Sequence, residues 1–356
     1  MRTSTCFATL LFVDSRPIII WLLLVYFSIA AMVALGGTVR LTGSGLSMVD
    51  WKPLMGTLPP LGEEAWLDKF ELYKSSPQFK KVNYWMELAD FKRIFFWEYL
   101  HRLMGRLLGL IFALPWLWFV VTGRLRGRAA GRTAIAFVLG GLQGVLGWYM
   151  VRSGLVDRPS VSHLRLAAHL GLALLVANYV LWLLLEYLVP PLPSAEGATE
   201  KARRTALTGA WALLALISVQ VIYGAFVAGT RAGHLFATFP DFSGSYWPAG
   251  LGTIQPIWLD LRDNPVTLHF IHRFLGLLIA VLVPIWFLVT RKAVRSTPQR
   301  LAAALMVSTV VAQVGLGVAT VLLSVPPVLG VAHQLGGMAL LSCAVFAVFV
   351  FGKRSP

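Results

Sequence analysis

The sequence predicts an all-α integral membrane protein of about eight transmembrane helices, arranged as two parallel-repeat four-helix bundles. Three observations lead there: an apolar composition, stretches of membrane-crossing length, and a set of residues recurring in one order in both halves. Hydrophobic residues make up 57% of the 356 and charged residues 13%, about half the charged share of an average soluble domain.

Crossing a bilayer takes about 20 mostly apolar residues. Segments 17–38, 97–121, 132–151, 160–188, 206–229, 267–290, 301–324 and 328–350 meet that length. The first has no small-residue cleavage site at its end and reads as a retained helix, not a signal peptide. Arg124, Arg126, Arg128 and Arg132 follow the second segment, and Lys201, Arg203 and Arg204 precede the fifth. Arg291, Lys292, Arg295 and Arg300 separate the sixth from the seventh, and Arg2, Arg16, Lys353 and Arg354 flank the whole set. The positive-inside rule puts all of these in the cytoplasm. Both termini then share one side, which an even number of spans satisfies.

The opposite side receives two long segments, 39–96 and 230–266, and short links near Asp157 and Pro326–Pro327. The first long segment mixes Asp50, Glu63, Glu64, Asp68 and Glu71 with lysines. Trp51, Trp66 and Trp85 give it something to bury, so a small cap with short helices is expected. Its length exceeds ordinary connections and points to a functional role.

A net charge of +15 raises the question of nucleic acid. The basic residues instead sit in short clusters between apolar segments, where topology accounts for them, so no nucleic acid is implied. The 2 cysteines, Cys6 and Cys343, stand near opposite ends of the chain. No CxxC or Cys/His spacing supports zinc or an iron–sulfur cluster.

The repeat carries the chemistry. Tyr99-Leu100-His101-Arg102 is answered by Phe270-Ile271-His272-Arg273, and Gln143-Gly144-Val145-Leu146-Gly147 by Gln313-Val314-Gly315-Leu316-Gly317. His169 is answered by His333. The separations run 42 then 26 residues in the first half and 41 then 20 in the second, by subtraction of these positions. Four spans return the chain to its starting side, so the halves 1–200 and 201–356 keep one orientation.

Ionisable residues inside a span are expensive and are functional candidates by default. His101 and His169 reach similar depth in one half, and His272 and His333 in the other. Two imidazoles from facing helices at matched depth suit a bis-histidine haem. Arg102 and Arg273 each follow one of these histidines, where a guanidinium can meet a haem propionate in a fork. Gly105, Gly109, Gly144, Gly147, Gly171, Gly276, Gly336 and Gly337 would give a flat ring room; close helix packing accounts for them equally well. His163, His234 and His269 have no paired equivalents and read as polar residues at the headgroup boundary. Glu98 stands three residues before His101, where the other half has His269 before His272. A carboxylate there can act as acid, base or charge stabiliser beside a bound haem, or can simply complement the helix dipole.

A longer pattern is recognisable. Gly36-Gly37-Thr38-Val39-Arg40-Leu41-Thr42-Gly43-Ser44-Gly45 through Asp50-Trp51-Lys52-Pro53, with Leu58-Pro59-Pro60, closely resembles the first outer loop of haem A synthases. Glu98 through Arg102, Arg165 through His169, Ala228 through Gly233, Thr238-Phe239-Pro240, Ile271-His272-Arg273 and Ala332-His333-Gln334 resemble later motifs in the family's order. The resemblance implies oxidation of the C8 methyl of haem O to a formyl group, making haem A for cytochrome oxidase. It implies substrate haem at His101 and His169, a haem b at His272 and His333 that relays electrons, and Glu98 as the essential carboxylate. Some bacterial members carry a cysteine pair in the first outer loop; residues 39–96 contain none, which aligns the chain with the cysteine-free branch of proteobacteria and mitochondria. The start close to the first span, without an Arg- and Ser-rich leader, favours a bacterial inner membrane with the haem sites toward the periplasm. Association with the enzyme that makes haem O is a family-level expectation, the electron donor has no signature here, and lipid-facing aromatics are compatible with a homo-oligomer. A two-haem electron carrier and a haem transporter remain as alternatives; only the oxidoreductase needs Glu98 together with an exchangeable haem.

Overall fold

The computed structural model describes residues 15–50, 58–155, 159–190, 197–294 and 296–353. Among them the chain is helical throughout, with one isolated bridge between Phe242 and Ser245. The helices are α1 (Arg16–Leu41), α2 (Glu63–Lys74), α3 (Leu88–Val121), α4 (Gly127–Leu155) and α5 (His163–Leu188). They continue as α6 (Gly197–Thr230), α7 (Ile257–Asp263), α8 (Pro265–Thr290), α9 (Thr297–Leu322) and α10 (Pro327–Gly352). All but α2 and α7, which makes 8 of them, are long and apolar enough to cross a membrane. Each of the eight expected segments lies on one of these helices.

The helix ends follow from local chemistry. Proline in the first turn, where its missing N–H costs nothing, opens α1, α8, α9 and α10. Ser296 and Gln299 form a reciprocal capping box on α9, and Asn264 accepts from Val266 N at 3.0 Å to start α8.

Helices α1, α5, α6 and α10 contact one another and form the centre; α3 and α4 lie on one side, α8 and α9 on the other. Burial follows this order, with 61% of the apolar window of α10 inside the protein against 6% for α4. Alanines at 177, 344 and 347, all 0% exposed, let the central helices approach closely. Polar bonds cross the same centre: Gln334 Nε2 donates to Val33 O at 2.8 Å, and Tyr26 and Ser342 hydroxyls meet at 2.8 Å. On the flank, α3 and α4 are joined by Trp116 and Phe112 stacked on Phe137, and by Trp116 Nε1 donating to Thr133.

Two expectations are corrected. The second span starts at Leu88 instead of 97, because Phe91, Ile94 and Phe95 bury against α2 outside the apolar stretch. The cap over the first half does contain a short helix, but its anchors are Phe70 and Tyr73, with Trp66 packed beside them. Trp85 is 60% exposed, and Trp51 lies outside the described residues, as do Asp157 and Cys6. Within the cap, the Tyr73 hydroxyl accepts from Asn83 at 2.7 Å and donates to Gln78 at 3.0 Å. Burial pushes that phenol up to about 12.

Candidate functional site

The four histidines of the repeated set lie on two pairs of helices. His272 of α8 faces His333 of α10, their ring centroids 6.2 Å apart and their planes at 88°. A metal–imidazole bond is about 2 Å, so that separation fits one metal held by a nitrogen of each ring. His101 of α3 and His169 of α5 are the corresponding histidines of the first half. Buried ring nitrogens normally find partners, yet Nδ1 of His169, His272 and His333 is buried without one among the described residues. Imidazoles placed in this way, with buried ring nitrogens left unsatisfied, are a donor set that fits haem iron.

Each of these rings presses on a glycine of the neighbouring helix. A methyl group at Gly147 would stand 3.0 Å from Cε1 of His169, at Gly224 3.0 Å from Cε1 of His272, and at Gly317 2.9 Å from Cε1 of His333. At Gly36 it would stand 3.3 Å from Nε2 of His101. A glutamine one turn earlier joins three of the four. Gln143 donates to the His169 carbonyl, Gln220 to the His272 carbonyl and Gln313 to the His333 carbonyl, each at 2.9 Å. Sequence reasoning saw Gln143 and Gln313 as part of the repeat and missed Gln220. The signal was present, since Gln-x-x-x-Gly occurs at 143–147, 220–224 and 313–317.

Glu98 is 3% exposed, one turn above His101 on the same helix. Its Oε2 accepts from Ser47 Oγ at 2.7 Å and Met48 N at 2.9 Å; its Oε1 accepts from Arg102 Nη2 at 2.6 Å. Arg102 also donates to the carbonyls of Met48 at 2.8 Å and Asp50 at 3.0 Å. The pair therefore fastens the loop after α1 to the top of α3. A cavity of about 250 Å³ opens beside it, lined by Met48, Asp50, Lys69, Phe95, Arg102 and Arg106 among others.

The second half builds the same fastening with different chemistry. Arg273 Nε donates to His269 Nε2 at 3.0 Å, and its two terminal nitrogens donate to the carbonyls of Phe236, Thr238 and Asp241 at 2.8–2.9 Å. Its guanidinium lies over the Phe242 ring, 4.3 Å from the centroid. His269 is thus 2% exposed and bound to Arg273, not a headgroup-boundary residue as its sequence position suggested. His163 also has a definite partner, Asp263 at 3.0 Å, which ties α5 to α7 across the outer face. His234 is exposed.

The COX15-CtaA family, described as cytochrome oxidase assembly protein, matches residues 19–345. A heme A synthase of Nitrosospira multiformis is 43% identical over 336 residues, covering 94% of this chain and 93% of the relative. A heme A synthase of Rhodospirillum centenum is 42% identical over 94% of this chain and 88% of its own. One from a Bradyrhizobium species is 44% identical over 96% and 92%. The match runs through all eight candidate spans at a level of identity that shows common descent, and the chain belongs to the COX15-CtaA family of cytochrome oxidase assembly proteins.

Proposed function

We propose that this chain is a haem A synthase of a bacterial inner membrane, oxidising the C8 methyl of haem O to a formyl group. The reading is supported by its relatives' names together with one observation: His272 and His333, both half-buried, face one another from α8 and α10 with ring centroids 6.2 Å apart. His101 and His169 would hold the haem O being converted, and His272 and His333 a haem b that passes electrons to it. A haem held in this way supplies the iron redox chemistry. The protein's own task is to fix the imidazoles, to keep the reacting edge out of water, and to manage protons at Glu98.

Glu98 fits that task because it is the carboxylate of α3 that stands one turn from His101. Its carboxylate oxygens are already oriented by Ser47, Met48 and Arg102, so the group is fixed before substrate arrives. The equivalent place before His272 carries His269, spent on Arg273. The half proposed for chemistry is therefore the one with the acid–base group. Arg102 and Arg273 fasten the two outer loops through their carbonyls, and a guanidinium beside each proposed site would suit a haem propionate. The basic clusters support cytoplasmic termini and haem sites near the periplasmic face. Turning a methyl into a formyl group is a four-electron oxidation, so the reaction requires an oxidant such as O2, an electron donor to activate it, and an enzyme that supplies haem O.

The test is expression with a source of haem O, followed by chromatography of the extracted haems. Wild type is expected to yield haem A. Stable binding of haem with no change to its ring, with reductant and oxygen supplied, would leave a two-haem electron carrier in place of the synthase.

A further inference from the structure

The four histidines are braced alike in three cases and differently in the fourth. Residues Gln143, Gln220 and Gln313 each give the main-chain carbonyl of His169, His272 or His333 a second hydrogen bond. A helical carbonyl already accepts from the residue four places on, so a second donor fits most easily where that residue is small, and after His169 it is Ala173. At Gly276 and Gly337, four residues past His272 and His333, there is no side chain, and a methyl group there would meet Gln220 Nε2 at 3.2 Å and Gln313 Nε2 at 3.4 Å. His101 has the same glycine four residues on, Gly105, and the same glycine beneath its ring, Gly36. The residue one turn before Gly36, where Gln220 stands one turn before Gly224, is Met32. Its Cε lies 3.7 Å from where a methyl group on Gly105 would be. The thioether fills the place of the amide and offers no donor.

We infer that Met32 makes His101 the releasable ligand, and that Gln143, Gln220 and Gln313 are positioning residues that hold the other three histidines in register. The inference rests on the two-haem reading above and deepens it. A synthase must let its product go, whereas a relay haem must stay. One unbraced histidine in the substrate half and two braced ones in the relay half give the two sites different lifetimes without changing the ligand type. Met32 acts through the backbone of α3: without the amide bridge from α1, the turn bearing His101 is free to shift and draw the imbed imidazole away from the iron.

The experiment uses the purified haem-loaded protein and excess apomyoglobin, following haem transfer optically. Wild type is expected to release haem in two phases, the faster from the half with His101. Met32→Gln should slow the faster phase by about five- to tenfold, the effect of one added hydrogen bond, and leave the slower phase where it was. Gln220→Met should speed the slower phase by a similar factor. Met32→Leu separates volume from hydrogen bonding, since it supplies bulk and no donor. Equal effects of Met32→Gln and Met32→Leu on the faster phase, or no effect of either, overturn the inference. The visible and EPR spectra of His101→Ala and His272→Ala test the underlying reading separately. If each variant does not remove one low-spin haem, the two-haem assignment fails, and the assignment of Met32 with it.

Discussion

Replacing Glu98 tests structure and chemistry at once, and the geometry says how to separate them. Glu98→Ala removes the acceptor of three hydrogen bonds, from Ser47, Met48 N and Arg102. It also takes the carboxylate away from a guanidinium whose side chain is only 12% exposed, leaving Arg102 its bonds to the Met48 and Asp50 carbonyls. Removing one partner of a buried ion pair costs about 3–5 kcal/mol, and the loop at 47–50 loses part of its attachment to α3, keeping these two bonds from Arg102. Glu98→Ala is thus expected to lower the unfolding temperature in detergent and to loosen the loop, as well as to stop haem A formation. Glu98→Gln keeps the size and can still accept from Ser47 and Met48, so its structural cost is smaller, about 1.5–3 kcal/mol for the lost charge-assisted bond to Arg102. The assay is paired: unfolding temperature and haem content for the protein, chromatography of extracted haems for the chemistry. The chemical role requires Glu98→Gln to bind haem at the wild-type level while haem O or a partly oxidised product accumulates. Haem A formation at the wild-type rate in Glu98→Gln would refute it and leave Glu98 as a loop fastener.

Other expectations follow from the same coordinates. Gly317→Ala places a methyl group 2.9 Å from Cε1 of His333, an overpacking of about 1–3 kcal/mol, and is expected to lose the low-spin spectrum of the second-half haem. Arg273→Met removes donors to His269 and to three loop carbonyls; it should raise amide exchange across 236–242 while α9 and α10 stay protected. In the outer loop, burial raises the Asp260 carboxyl, but bonds from Thr267, Asn264, Ile254 N and Gly252 N outweigh this and hold it below the ordinary range. A depressed folded-state value contributes stability above the unfolded value of about 3.9, lost as pH falls through the folded one. Amide exchange at Ile254, corrected for its intrinsic pH dependence, should therefore be steady from neutral pH to about 5 and rise only below about 4.

Apolar length and charge clusters were enough to find the spans, because lipid leaves a backbone no alternative to helix. The repeated His-Arg and Gln-Gly patterns exposed the candidate site because each histidine is paired with a fixed local environment. What stayed hidden depended on contacts between distant segments. The early start of α3 rests on Phe91, Ile94 and Phe95 meeting Phe70 and Tyr73 of α2, a tertiary contact that no hydropathy window reports. His269 read as a boundary residue because its partner Arg273 had already been assigned to haem. Gln220 escaped because its motif, Gln-Val-Ile-Tyr-Gly, shares only its first and last residues with the other two. Once the structure shows glutamine and glycine at these two positions against a histidine in all three places, the spacing becomes the motif. The same rule then makes Met32 conspicuous: it occupies the glutamine position of a site otherwise complete down to its glycines. A departure of this kind, in the half that also carries Glu98, is what the two-haem reading needs if one site is to turn over its haem and the other to keep it.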